Sequence, residues 1–418
     1  MKIILKLAWR NLGRNRRRTV LTAATVALGL ALLLVTFGLG DGSHLQMIDN
    51  AVRMGSGHVL IQHQGYHDHG GVQRALEAET LSQVRVWIEQ EGFDGSVQSR
   101  VERVFSTGLA SSADGSTAVR VIGSQPGPES EASKYGEKLV AGEFLSSETG
   151  DQAVVGAGVA RKLGVGLGSK FVVLSQASGS AELQSRLLRV HGILRTGMDE
   201  LDQRLVIIPL EAAQELLLLP GQVHQVAVFM EDVEGAHALA RRGRTDLPAS
   251  AEVLDWAEAM PELIEFIRMD NAGNYLFNGI FLLLIAFVVL NTLMMSALER
   301  RREYALLDAL GLTPAGRFLM MFTEAVLLAL FSTAAGLALG YGAHLYLESH
   351  GLPLEAFYDG EGDLSAAGAV MDPVLYSRLS NERLLVSASI IMFLTMILAL
   401  VPAWRAGRRV SVQLLGRM

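Results

Sequence analysis

The residue types that carry most protein chemistry are scarce in this chain, and those present are not arranged for catalysis. There is no cysteine, so thiolate nucleophiles and cysteine metal sites are excluded. The stretch GVGLGSK at 164–170 is glycine-rich and ends in lysine, but lacks the GxxxxGK[ST] spacing that cradles phosphates; it reads as turns between short strands. His63, His67, Asp68 and His69 crowd one loop without a second ligand group, and solvated side chains are the plainer reading, so no metal is expected. No HExxH, GxSxG or dinucleotide fingerprint occurs, and no catalytic residue is assigned. The polar residues that stand out do so by position. Asn291 and Glu324 interrupt long apolar runs, where an ionisable group is costly and marks either a coupling site or a structural pair. Between two such runs lies the charged, helix-forming segment ERRREYALLDALG, residues 299–311.

The elements that must position these residues follow from hydropathy. Half of the 418 residues are apolar, concentrated in blocks near 19–40, 274–298, 318–347 and 384–404. Each block is about 20 or more residues long with few charges, which is the signature of a transmembrane helix rather than of a soluble core. Four spans are expected. The 299–317 segment between the second and third is then a short amphipathic helix held at the membrane face. Leu306, Leu307 and Leu310 share one side of it, leaving Tyr304 and Asp308 on the other. Gly311 is a natural stop, and Thr313-Pro314 reads as an N-cap with proline at the first position of the next helix. The plainer alternative is a solvated loop. Gly336 and Gly340 form GxxxG in the third span, which permits close helix approach either within the chain or between two copies.

Charge sets the orientation. Residues 1–18 hold seven Lys or Arg and no acid, and the 299–318 loop and the stretch after 404 add four Arg each. Residues 41–273 hold 19 basic against 32 acidic side chains, and residues 348–383 hold two against seven. The positive-inside bias puts the termini and the central loop in the cytoplasm and both acidic segments outside. Residues 1–18 repeat Lys2, Lys6, Arg10 and Arg14 beside Leu5, Ala8, Trp9 and Leu12, as an interfacial amphipathic helix does, and Arg16, Arg17 and Arg18 anchor the first span. The first apolar run is too long for a signal-peptide core and lacks a cleavage site. The tail 405–418 is cytoplasmic on the same argument.

The exterior segment 41–273 mixes strand and helix signals. GHVLIQH (57–63) alternates as a strand, and 75–92 reads as a helix closing on Gly92. Two strand-like runs flank Ala113-Asp114-Gly115 as a hairpin. Short β-like runs and the helix PLEAAQELLLL make 125–220 a β-rich insert in a large mixed α/β domain.

Read as one stretch, VLNTLMMSALERRREYALLDALGLTPAGRFLMMFTEA resembles the FtsX-like permease family of ABC transporters, which includes MacB, LolC, LolE and FtsX. Asn291, Arg302, Glu303, Ala305, Leu306, Leu307, Ala309, Leu310 and Gly311 match its pattern, and Glu324 matches an acidic residue early in the third span. Asp308 stands where that family usually has Lys or Arg, so Asp308→Arg is expected to be tolerated unless the partner ATPase carries a complementary basic residue. The run 142–174 resembles the MacB-type periplasmic core, and 401–415 resembles the family's C-terminal pattern. The resemblance covers the whole chain and implies an α-helical membrane protein with four spans and a large mixed α/β extracytoplasmic domain, in a bacterial inner membrane. It implies a non-catalytic permease that transmits motion. A separate ABC ATPase in two copies would supply ATP and Mg chemistry and grip residues 302–311, including Tyr304. A second permease chain, membrane lipid and a periplasmic carrier or adaptor complete the expected partners; no cofactor is bound by this chain and no nucleic acid is expected. With 18 residues before the first span and no Walker A motif, the layout is most like a LolC/LolE-type lipoprotein-release permease. MacB-like efflux of peptides or hydrophobic drugs and FtsX-like activation of a cell-wall hydrolase are the alternatives.

Overall fold

The computed structural model describes residues 2–14, 16–91, 97–146, 150–179, 182–231, 233–354, 365–366, 369–370 and 372–407. The expected Gly92 helix stop and the tail beyond 407 lie outside these residues, as do the side chains of Lys2, Leu5, Arg18 and Arg302. The chain divides into two compact units: residues 1–45, 268–358 and 374–418, and residues 46–267 with 359–373.

The first unit is helical. It contains α1 (Lys2–Arg14) and the first part of α2 (Arg16–Met54). The second unit opens with the end of α2 and continues through β1 (Val59–His63), α3 (Tyr66–His69), α4 (Ala78–Glu91), β2 (Val97–Ser111), β3 (Ser116–Ser124), α5 (Pro126–Ala132), β4 (Leu139–Gly142), β5 (Gln152–Gly156), α6 (Ala157–Leu163), β6 (Lys170–Gln176), β7 (Leu183–Leu194), α7 (Asp199–Asp202), β8 (Leu205–Pro209), α8 (Leu210–Leu217), β9 (Gln225–Met230), α9 (Glu234–Asp246), β10 (Ala251–Asp255), α10 (Trp256–Ala259) and the start of α11 (Pro261–Glu299). The chain then returns to the helical unit for α12 (Arg301–Ala309), α13 (Pro314–His350) and α14 (Asn381–Gly407). Helices α2, α11, α13 and α14 are each long and apolar enough to cross a membrane.

In the helical unit, α2, α11, α13 and α14 share one apolar core around Leu30, Leu34, Val289, Leu328 and Ile391. The GxxxG of α13 packs on α2 of the same chain. A Cβ on Gly336 would stand 2.9 Å from the Ala27 carbonyl oxygen, and one on Gly340 would stand 2.7 Å from Leu34 Cδ1.

The second unit is built on a ten-stranded sheet ordered β10-β1-β9-β2-β3-β8-β5-β7-β4. Because β6 pairs with both β2 and β7, strands β2, β3, β8, β5, β7 and β6 close into a ring, which removes their edges. The β2–β3 hairpin turns through Ala113-Asp114-Gly115, with the Ser112 amide donating to the Gly115 carbonyl. Two expectations need adjusting. The strand at 59–63 lies between β10 and β9 with both faces largely buried rather than alternating. The β-rich part is also not a separate insert from 125 onward, because β2 and β3 form two of its six ring strands. Period-two patterning identifies strands, but long-range pairing decides which layer they join.

Candidate functional site

The charged segment between the spans forms α12, and its two faces differ sharply. Tyr304 and Ala305 are buried, and Tyr304 donates a hydrogen bond to Met321 Sδ at 3.6 Å. Leu306 is 57% exposed and Leu310 81%, with Ala309 and Gly311 exposed beside them. Gly311 takes φ 89°, a conformation glycine adopts without strain, and lets the chain leave α12 and turn into α13. There Thr313 accepts from the Gly316 amide at 3.2 Å and Pro314 fills the first turn.

One sequence expectation fails here. Leu307 does not share the outward face of Leu306 and Leu310. It is half-buried against the cluster of Ala297, Tyr304, Met320, Met321, Ala403 and Ala406. With 3.6 residues per turn, positions 306 and 310 align, and position 307 rotates toward the bundle. The outward contact is therefore Leu306 and Leu310.

A second expectation also fails. Asp308 is not a free surface charge: its Oδ1 lies 2.5 Å from Nη1 of Arg317, whose side chain is fully buried at the start of α13. Asp308→Arg would set two guanidinium groups against each other, so the substitution is not benign. Among the described residues none of the three Arg317 guanidinium nitrogens has a hydrogen-bond partner, so its contact with Asp308 is an ion pair. The charge reversal at 308 was the signal that could have pointed to Arg317.

Glu324 is also paired. Arg300, 5% exposed, donates through Nη1 to both carboxylate oxygens at 2.7 and 3.0 Å, and through Nη2 to the Asn11 carbonyl at 3.4 Å. Arg14 pairs with Glu303. Helix α1 is thereby tied to the start of α12 and to α13, which a reading of α1 as a purely lipid-facing helix does not anticipate. Asn291, by contrast, is exposed on α11 and joins neither cluster. The polar residues buried in the spans include two that sequence reasoning missed: Asn278, in hydrogen-bond contact with Thr36 at 3.2 Å, and His344, in contact with Ser377 at 2.8 Å. Among the described residues no group of three His, Asp or Glu could hold a metal, and His67 and His69 are exposed.

The sheet unit contains a second, fully assembled constellation at the end of α2. A helix leaves its last carbonyls without intrahelical partners. Here the Lys134 amide donates to Arg53 O at 3.3 Å, Tyr135 Oη donates to Met54 O, and Arg103 Nη1 donates to Gly55 O. Arg103 is itself buried and bidentate on Glu129, at 2.6 and 2.8 Å, with Ser124 donating to the same carboxylate. Burial alone would raise the Glu129 pKa, but the charge and hydrogen bonds of Arg103, with those of the serines, hold it below its ordinary value. Burial pushes the Tyr135 hydroxyl up to about 12, so it remains a donor.

Four helices long and apolar enough to cross a membrane, a charged helix between the second and third, and a large sheet domain inserted after the first define a membrane protein with an extramembrane domain. A model of the MacB-like periplasmic core domain matches residues 19–243, and a model of the FtsX-like permease C-terminal region matches residues 275–411. The chain belongs to the FtsX-like permease family and carries a MacB-like periplasmic core. It is 24% identical over 328 residues to the lipoprotein-releasing system transmembrane protein LolC of Neisseria meningitidis serogroup B, covering 77% of this chain and 76% of LolC. It is 26% identical to the macrolide export ATP-binding/permease protein MacB of Rhodospirillum rubrum, covering 84% of this chain and 54% of MacB. Among solved structures, the periplasmic region of MacB from Actinobacillus actinomycetemcomitans aligns at 14% identity and TM-score 0.35, over 52% of this chain and 96% of that one. The extracellular domain of the transporter YknZ aligns at 14% identity and TM-score 0.32, over 43% and 90%. The protein is thus an ABC transporter permease of the inner membrane with a periplasmic domain, a class that works with an ATPase and another permease chain.

Proposed function

We propose that this chain is the permease of a lipoprotein-releasing ABC transporter, passing motion from a separate ATPase to its periplasmic domain so that lipid-linked cargo is drawn from the outer leaflet. The observation that carries the coupling role is the split character of α12. Leu306 and Leu310 stand bare on its outward face, while Tyr304, Leu307, Asp308 and Glu303 fasten the inner face to α13, α14 and α1. A push on the two leucines is then carried by a rigid body rather than absorbed by a loose loop. Two copies of the ATPase hold the ATP and Mg, and this chain contributes no catalytic group.

The cargo reading rests on similarity to LolC over about three quarters of both chains. Efflux in the manner of MacB is the second reading, favoured by the alignment over 84% of this chain. Purification of the tagged chain in mild detergent separates them. Recovery of an ATPase with a second permease, or of a periplasmic lipoprotein carrier, supports lipoprotein release, and recovery of an efflux adaptor overturns it. Both termini are cytoplasmic in this proposal. With no native cysteine present, Ala113→Cys should react with an impermeant thiol reagent in intact cells whose outer membrane has been permeabilised, and Thr313→Cys should not. The reverse pattern would reject the orientation.

A further inference from the structure

The periplasmic unit holds an open cleft of about 1010 Å³, lined in part by Met54, Gly55, Arg103 and Tyr135 of the cap at the end of α2. One wall is the outward face of β2 and β3, presenting Phe105, Thr107, Ala118, Arg120 and Ile122. The opposite walls are Met198 and Leu201 around α7, and two chain junctions: Met54–Ser56 after α2, and Ala259–Met260 before α11. We propose that this cleft binds a single acyl chain bearing one anionic head.

Three features lead to that ligand class. First, the anion anchor is Arg120. Its guanidinium lies 5.1 Å from the centre of the Phe105 ring, and no carboxylate lies within ion-pair distance of it among the described residues. The other arginines of the cleft are engaged: Arg103 is bidentate on Glu129, and Arg204 faces Glu200 at 3.9 Å. With Asp199 and Glu200 also lining the cleft, a polyanion is repelled and a single negative head is accepted. Second, three methionines, Met54, Met198 and Met260, line the body of the cleft. Unbranched, polarisable side chains adapt to a flexible chain better than to a rigid ring system. Third, the walls are strand faces, not strand edges. β1, β9, β2 and β3 are all interior to the sheet, so an extended peptide would find no main chain to pair with and would leave its own amides unsatisfied. A hydrocarbon chain has no such requirement. The volume lies at the upper end of ligand pockets, roughly 300–1,000 Å³.

An occupant touching Met54–Ser56 and Met260 would rest against the ends of two membrane-crossing helices. The binding itself goes beyond the transport reading, because it is measured on the permease without any ATPase. The full-length chain is placed in nanodiscs of zwitterionic lipid and photolabelled with palmitate carrying a mid-chain diazirine, and the labelled peptides are mapped by mass spectrometry. Label is expected on the peptide containing Met198–Leu201, together with that of Met54 or Met260. Unlabelled palmitate should compete and hexadecanol should not. Losing one charge-assisted contact should lower labelling about tenfold in Arg120→Glu, while Arg120→Lys retains it. Met198→Trp, which fills the cleft without touching the anchor, should also lose the label and guards against a folding artefact in the arginine variant. Label confined to the four spans, equal competition by hexadecanol, or full labelling in both Arg120→Glu and Met198→Trp would overturn the proposal.

Discussion

The two places where helices meet their surroundings use the same chemistry to different degrees of completion. At the end of α2 in the periplasmic unit, Arg103 has both carboxylate oxygens of Glu129 and the Gly55 carbonyl. At the foot of α12 and α13, Arg317 is ion-paired with Asp308, but none of its guanidinium nitrogens has a hydrogen-bond partner among the described residues, and neither does Nε of Arg300. A buried guanidinium with all its donors met is a fixed cap, and one with free donors is costly unless something else completes it. The first arrangement suits a joint that must not slip.

The comparison breaks most visibly at Arg103. Arg103→Met leaves Glu129 buried without its partner and frees the Gly55 carbonyl, at a cost of about 3–5 kcal/mol to the periplasmic unit. Replacing both members, Arg103→Met with Glu129→Leu, should cost far less, since a buried pair exchanged for apolar side chains is often near neutral. Chemical unfolding followed by fluorescence of the buried Trp87 and Trp256 reads both variants. If the double variant is as unstable as the single one, the pair is not the source of the effect. Hydrogen exchange at residues 53–57 adds a local readout, which should rise in both variants because the Gly55 cap is lost in each.

Asp308→Arg comes next. It places a second cation against a fully buried one, with an expected loss of about 3 kcal/mol, tempered because Asp308 is itself 31% exposed. Reduced yield of the intact bundle, restored by adding Arg317→Asp, would establish the pairing; wild-type yield of Asp308→Arg alone would remove it.

The third effect is an interface effect rather than a folding one. Leu306→Ala and Leu310→Ala should each weaken ATPase association by roughly 5- to 150-fold, corresponding to about 1–3 kcal/mol of apolar contact, with no change in the stability of the free chain. Leu307→Ala should do the opposite, lowering bundle stability by about 1–2 kcal/mol through the half-buried cluster it helps to fill. Equal behaviour of the three variants would mean that α12 does not present one face to its partner.

The pattern of what the sequence reveals follows from the range of each interaction. The four long helices, α12, the Gly311 stop and the Thr313 cap depend on local hydropathy and local backbone chemistry, and all were legible. The α12 face was legible only to within one residue, because three leucines at 306, 307 and 310 fit two helical stripes and the bundle selects between them. The Asp308–Arg317, Arg300–Glu324 and Arg103–Glu129 pairs are different. Each joins positions whose proximity is decided by packing, across 9, 24 and 26 residues respectively. Composition places the charges but cannot say which of them meet. Glu324 was readable as either a coupling site or half of a structural pair, and Arg300 supplies the pair. Ring closure by β6 was not readable, since pairing with both β2 and β7 has no local signature.

The smallest expected effect is the response of the periplasmic unit to acid, and it sharpens the contrast between complete and incomplete sites. His224 is buried with its hydrogen bonds fixed: the Phe105 amide donates to Nδ1 at 2.8 Å, so Nε2 carries the proton and donates to the Val72 carbonyl at 3.0 Å. Tyr66 stacks on the ring, its own pKa pushed by burial to about 12, so it stays neutral throughout. Burial holds His224 below its ordinary 6.5, and protonating Nδ1 would set it against the Phe105 N–H. The folded state therefore takes up this proton less readily than the unfolded chain. Stability is complete above 6.5 and falls as pH drops below it. Glu129, held below its ordinary 4.5, adds a second decline below that value by the same logic, since the unfolded carboxylate protonates first. Unfolding of the periplasmic unit measured from pH 8 to 4 should show both windows. Arg103→Met with Glu129→Leu should erase only the lower one, and His224→Gln should flatten only the upper one. If the double variant keeps the decline below 4.5, Glu129 is not the group responsible, and the cap at the end of α2 is held by something other than its ion pair.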